Sequence, residues 1–132
     1  MKLFIDKIEA FLDGEAVAFS LEMARMDLCS AFQRKVLTAE HAIPRGRVST
    51  YRLIAQHIGD PGAARAVGTA LAANPFPIII PCHRAIRSDG GLGGYQGGLK
   101  MKRTLLEMEG ILFRDDGYVD TSNFFYARQR QN

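Results

Sequence analysis

The sequence predicts a mostly helical single domain of winged helix-turn-helix type with a short β wing. Three observations carry this expectation. Apolar residues recur at helical spacing along most of the chain, two of the predicted helices are joined by a very short turn, and a glycine-rich segment separates a stiff apolar stretch from the last helix. At 132 residues the chain is long enough for one core and too short for two.

Phe4, Ile8, Phe11 and Leu12 fall on one face of a first helix that Gly14 can stop. This helix belongs to an N-terminal extension, residues 1–30, that precedes the main unit at 31–113, with residues 114–132 as a tail. Ser30 stands before a second helix over 31–42, whose apolar positions include Phe32, Val36 and Leu37. Pro44 biases Ile43 away from helix. Arg45 to Val48 reads as an extended link. Ser49 or Thr50 then caps a short helix with Leu53, Ile54 and Ile58 on its apolar face and Gly59 at its stop.

Asp60 and Pro61 suit the N-cap and first position of the next helix, Gly62–Ala73, built almost wholly of small residues. Two helices meeting across a three-residue turn outline a helix-turn-helix, and the small side chains would let a partner approach the backbone closely. Burial of the same helix by small-residue packing fits the pattern too. Asn74 and Pro75 end it, and the stretch from Phe76 to Ile80, which includes Pro77, is closed by Pro81. Residues 88–98 hold six glycines and read as a loop. Leu99–Glu109 is the last helix, with Met101, Leu105, Leu106 and Met108 apolar and Gly110 as its cap. A short strand and a loose end are expected beyond it.

Composition excludes several classes. Hydrophobic residues make up 47% and charged residues 23%, and no apolar run approaches the roughly 18 residues of a membrane span. Acidic residues interrupt the first nineteen positions, so no secretory leader is read and an intracellular location is expected. Cys29 and Cys82 lack the spacing of a zinc site or a disulfide framework, so neither metal nor cofactor is expected. The net charge is only +3, but residues 45–87 carry six arginines against the single acid Asp60. An arginine field of this kind is the footprint of a phosphate-binding face, and a solvated surface matches it as well.

Chemistry concentrates at Pro81-Cys82-His83-Arg84. A thiol attacks as its thiolate, which an imidazole and nearby cations favour. In an extended stretch neighbouring side chains point to opposite faces, so His83 would reach Cys82 through a water, with a carboxylate orienting the ring. A buried cysteine acting as a small hydrophobe is the plainer alternative.

Six stretches occur in order: Arg47-Val48-Ser49-Thr50-Tyr51, Ala63-Ala64-Arg65-Ala66-Val67-Gly68, Asn74-Pro75, Ile80-Pro81-Cys82-His83-Arg84, Gly94-Tyr95 with Gly97-Gly98, and Glu109-Gly110. On these, the chain from Phe32 to Gly110 resembles the C-terminal domain of the O6-alkylguanine-DNA alkyltransferases, an α+β family whose N-terminal domain is largely missing here. The resemblance implies irreversible transfer of an alkyl group to Cys82, one lesion per molecule, with His83 acting through water, Glu109 orienting it and Tyr51 supporting proton transfer. It implies that Arg65 fills the space left by an everted base, and that Asn74 braces the turn before the active-site strand. Pro77, Tyr95, Gln96 and Gly97 would line the pocket, although many members have serine where this chain has Gln96.

The implied partner is double-stranded DNA carrying alkylated guanine. It would be contacted from the minor groove with little sequence specificity through Ala64, Ala66, Gly68, Thr69, Thr50, Arg52 and Arg84, by a monomer. Cys29 and His41 do not suffice for the zinc site of some members. Three other readings use part of the same features. They are a non-catalytic alkyltransferase-like lesion binder, in which the cysteine is normally replaced; a cysteine hydrolase; and a transcription regulator using the helix-turn-helix alone.

Overall fold

The computed structural model describes residues 10–14, 29–74, 80, 82–95 and 98–127. Among these, helices dominate, and no helix is long and apolar enough to cross a membrane.

Helix α1 spans Ala31–His41, and Ser30 caps it by accepting the Gln33 N–H at 3.1 Å. Strand β1 is Ser49–Thr50, and helix α2, Tyr51–His57, follows at once because Thr50 leaves the strand with extended backbone and accepts from Leu53 N with its own hydroxyl. Helix α3 is Ala64–Ala72, Cys82–Arg84 form a 3-10 turn, β2 is Ala85–Ile86, and α4 is Leu99–Met108. The sheet is a single parallel pair, with Ser49 beside Ala85 and Thr50 beside Ile86. It therefore joins the start of the two-helix unit to the end of the turn that holds Cys82.

The main core gathers Val36 and Leu37 of α1, Ile43, Ile54 of α2, Val67 and Leu71 of α3, Ile80 and Cys82. A smaller cluster of Val48, Ile86, Leu106, Ile111 and Val119 packs under the sheet and α4. Phe11, from the N-terminal extension, and Cys29 are also buried in the main core.

Several expectations need correction. Phe11 is buried at the end of a helical segment that closes through Gly14 N to Phe11 O, but Leu12 is 52% exposed; Phe4 and Ile8 lie outside the described residues. Arg45–Val48 begins in a turn, Arg47 N donating to Pro44 O at 3.2 Å, and not in an extended link.

Asp60 does not cap α3. Gly59, at φ +86°, ends α2 with Asp60 N donating to Ala55 O and Gly59 N donating to Gln56 O, so the Asp60 backbone is still satisfying the previous helix. Residues 60–63 then close as a turn through Ala63 N to Asp60 O. Ala63 becomes the N-cap without a side-chain bond, and residues 58–63 separate the helices where three were expected.

In α4, Met101 is 48% exposed, while Lys102 is fully buried on the face shared with Leu105 and Leu106. Beyond α4 the chain does not run loose as far as Ala127. Val119 N donates to Gly90 O, Phe125 N to Val48 O, Ser49 Oγ to Phe125 O at 2.6 Å, and Tyr126 Oη to Ala39 O at 2.7 Å.

Candidate active site and exposed basic cleft

Cys82 opens the 3-10 turn with its N–H donating to Ile80 O at 2.8 Å, and the residue is 5% exposed. The expected extended geometry of Cys82–Arg84 is thus replaced by a tight turn, and all three side chains are buried. Asn74 is fully buried at the end of α3. Its amide donates to Ile80 O at 3.0 Å and to the Cys82 sulfur, linking the end of α3 to the residue before the nucleophile turn. The Tyr95 hydroxyl, from the glycine-rich loop, lies in the field of the same sulfur, which helps it keep its proton.

Burial pushes the Cys82 thiol up to about 11. Asn74 and Lys102 work against that rise, and Glu40 adds to it. Burial raises Tyr51 to about 12 and lifts Tyr95 well above the usual phenol range, so both remain proton donors at neutral pH.

Behind Cys82 lies a second group of charges. Burial would raise the Glu109 carboxyl, but the hydrogen bonds and charge of Arg84, with the His83 ring beside it, bring it down to about 2. Arg84 grips both its oxygens and donates to Ile43 O at 2.7 Å through Nη1. His83 Nε2 lies 3.1 Å from Glu109 Oε1, a hydrogen-bond separation without hydrogen-bond alignment, and both ring nitrogens are buried without a hydrogen-bond partner. Burial lowers the His83 pKa, and Glu109 opposes that shift. The ring is therefore neutral near pH 7, beside an ionised carboxylate.

Lys102 is the functional candidate that sequence reasoning passed over. Its Nζ donates to Tyr51 Oη at 3.2 Å, Leu92 O at 2.5 Å and Gly94 O at 3.2 Å, tying α2 to the glycine-rich loop. The available signal was its spacing, since positions 102, 105, 106 and 109 form one helical face. Glu40 was missed likewise, on the face of Val36 and Leu37.

The surface next to this site is an open cleft of about 610 Å³ lined by Tyr51, Arg52, Ala64, Arg65, Gly68 and Thr69 on one side and by Arg87, Ser88, Gly93 and Gly94 on the other. Arg52, Arg65, Ala66 and Thr69 are exposed, whereas Ala64 and Gly68 are partly covered. Gly93 is required where the loop crosses Tyr51. Its φ is +72°, and a Cβ there would stand 2.5 Å from the Tyr51 hydroxyl. Tyr51 thus borders the cleft on one side and lies in the electrostatic field of Cys82 on the other.

Two expected cleft residues are elsewhere. The Arg84 side chain is turned inward onto Glu109 and Ile43, and Thr50 is 3% exposed with its hydroxyl used by the α2 cap. Pro77, Gln96 and Gly97 lie outside the described residues.

Residues 31–111 match the family described as 6-O-methylguanine DNA methyltransferase, DNA binding domain. The methylated-DNA–protein-cysteine methyltransferase of Methanothermobacter thermautotrophicus is 50% identical over 111 residues, covering 84% of this chain and 62% of that protein. The protein of the same name from Salmonella typhimurium is 47% identical over 108 residues, covering 81% of this chain and 62% of its own length. This chain therefore spans less than two thirds of these relatives.

Among solved structures, Mycobacterium tuberculosis OGT in complex with DNA is similar with a TM-score of 0.71 and 42% identity, over 80% of this chain and 63% of that one. S. pombe Atl1, in complex with damaged DNA containing O6-carboxymethylguanine, is similar with a TM-score of 0.58 and 35% identity, over 72% of this chain and 89% of that one. With the family match covering the helix-turn-helix, the Cys82–Arg84 turn and the last helix, this chain belongs to the 6-O-methylguanine DNA methyltransferase family.

Proposed function

We propose that this chain repairs DNA by taking an alkyl group from O6 of a damaged guanine onto Cys82, irreversibly. The observation that carries the reading is the placement of a hydrogen-bonded, buried thiol behind an exposed arginine-bearing cleft, with Tyr51 common to both. In the transfer the sulfur forms a bond to the alkyl carbon and the carbon–O6 bond breaks; the guanine takes a proton from Tyr51 and leaves as a neutral base, and the proton released by the thiol restores the Tyr51 hydroxyl by way of solvent. A dialkyl sulfide offers water no competent leaving group, so each molecule acts once.

A thiol raised to about 11 is almost wholly protonated at neutral pH, so its proton must leave as part of the reaction. Neutral His83, backed by ionised Glu109, is the base proposed to take it through a water. Tyr51 supplies a proton at the leaving base. Asn74 and Tyr95 steer the sulfur, and Pro77, Gln96 and Gly97 are proposed as pocket residues on the family resemblance alone. The base reaches the thiol only if it is flipped from the duplex, which costs a few kcal/mol, and Arg65 is proposed to occupy the gap. Arg52, Ala64, Ala66, Gly68 and Thr69 form the surface offered to the minor groove of double-stranded DNA, with sequence-independent phosphate contacts from a monomer.

The test is mass spectrometry of the full chain after incubation with a duplex oligonucleotide containing O6-methylguanine. A stable gain of one CH₂ on the peptide containing Cys82 is expected, and Cys82→Ala should bind the same duplex without gaining mass. Absence of the gain in the unsubstituted protein would refute transfer. One second reading, lesion binding without chemistry, is favoured by the elevated thiol and by the likeness to Atl1. Tight binding with no gain in mass would select it.

A further inference from the structure

Two charged side chains with no part in the proposed transfer are fully buried beside the nucleophile. Lys102 has acceptors for its three donors in Tyr51 Oη, Leu92 O and Gly94 O. Glu40 has no comparable arrangement: neither of its buried carboxylate oxygens makes an aligned hydrogen bond, and the backbone N–H of Arg84 is the donor that faces it. Leaving a carboxyl in that state is unfavourable by about 1–3 kcal/mol, more if it is ionised. An apolar side chain at the same place on α1 would avoid that penalty. The carboxyl contributes a titratable charge at a point where charge matters, since α1 packs against the turn that carries Cys82.

The groups that face Glu40 electrostatically come from every neighbouring element: Lys102 of α4, Glu109 at its end, Arg84 of the nucleophile turn, Tyr51 of α2, Tyr126 of the C-terminal segment and Cys82 itself. We propose that Glu40 is a positioning residue for the thiol. While protonated it leaves Lys102 to favour the thiolate at Cys82, and once ionised it opposes that thiolate. The titration behaviour agrees. Burial raises Glu40 to about 8, against the attraction of Lys102 and Arg84, and burial lowers Lys102 to about 8, against the pull of Glu40 and Cys82. The pair therefore exchanges protons over one range, in coupled steps, close to neutral pH.

This inference takes Cys82 as the reactive thiol of the proposed function. Its test reads the thiol with a small reagent, so a failure here is separate from a failure to accept an alkyl group from DNA. The rate of carbamidomethylation of Cys82 by iodoacetamide is followed from about pH 6 to about pH 11 by peptide mass spectrometry on the full chain. Glu40→Gln and Glu40→Met, each checked for folding by circular dichroism, should lower the apparent thiol pKa by about one pH unit, and Lys102→Met should raise it. In the unsubstituted protein the rise should be broader than a one-proton curve, because Glu40 ionises within it. Folded Glu40 variants that keep the original profile would overturn the proposal. If neither variant folds, a simple one-proton curve in the unsubstituted protein overturns it.

Discussion

Arg84 holds Glu109 through both carboxylate oxygens, Nε to Oε1 at 2.8 Å and Nη2 to Oε2 at 2.5 Å, with the two side chains 9% and 1% exposed. A bidentate pair this deep fixes where the carboxylate stands, and so fixes the group that His83 meets. Arg84, two residues from Cys82, is thereby part of the interior.

Arg84→Met should cost about 3 to 5 kcal/mol of folding stability, because it leaves a buried carboxylate with only His83 beside it. Urea denaturation measures this. A loss under about 1 kcal/mol would mean that the pair is exchangeable for solvent.

Glu109 also links stability to pH. Its folded value is depressed from 4.5 to about 2, so its stabilising contribution is complete above about 4.5 and is lost as pH falls toward 2. The slope of stability against pH in that window should flatten in Glu109→Gln, by on the order of 3 kcal/mol across it. The same variant should slow alkyl transfer, since His83 loses the charge that supports its protonated form. Acid denaturation followed by circular dichroism, together with single-turnover transfer rates, checks both.

Arg65 is exposed on α3 beside the cleft, and its proposed work begins only when a base leaves the stack. Arg65→Ala should therefore reduce the single-turnover rate about tenfold, equivalent to about 1.4 kcal/mol, while duplex affinity falls less. Equal losses in rate and affinity would reduce Arg65 to a phosphate contact.

Gly93→Ala should destabilise the protein by more than about 1 kcal/mol, because the new Cβ meets both a positive φ and the Tyr51 hydroxyl. Thermal unfolding reads the loss. Adding Tyr51→Phe should restore only part of it, because removing the hydroxyl relieves the nearest contact and leaves ring carbons at 2.9 and 3.1 Å together with the backbone strain.

Local chemistry made much of this architecture readable in advance. The hydrophobic spacing of Val36, Leu37, Ile54, Leu105 and Leu106 marks inward helix faces, Thr50 is a side-chain cap, and the Gly59 stop satisfies α2 through bonds within a few residues. Such features depend on neighbours in the chain, so the order of residues suffices to find them. Asp60 does not cap the next helix because residues 60–63 close a separate turn through Ala63 N to Asp60 O, and α3 begins only at Ala64.

What the order of residues left open was the partner of each charge. Spacing puts Glu40 and Lys102 on apolar faces and Arg84 beside the nucleophile, but it leaves undecided whether a charged side chain at such a place reaches solvent or turns inward. Ile43 O and Glu109, which receive Arg84, come from distant parts of the chain, and Leu92 O and Gly94 O reach Lys102 from the folded-back glycine-rich loop. Burial and long-range hydrogen bonding exist only once those parts have packed together, and it is there that the protonation of Cys82, His83 and Glu40 is set.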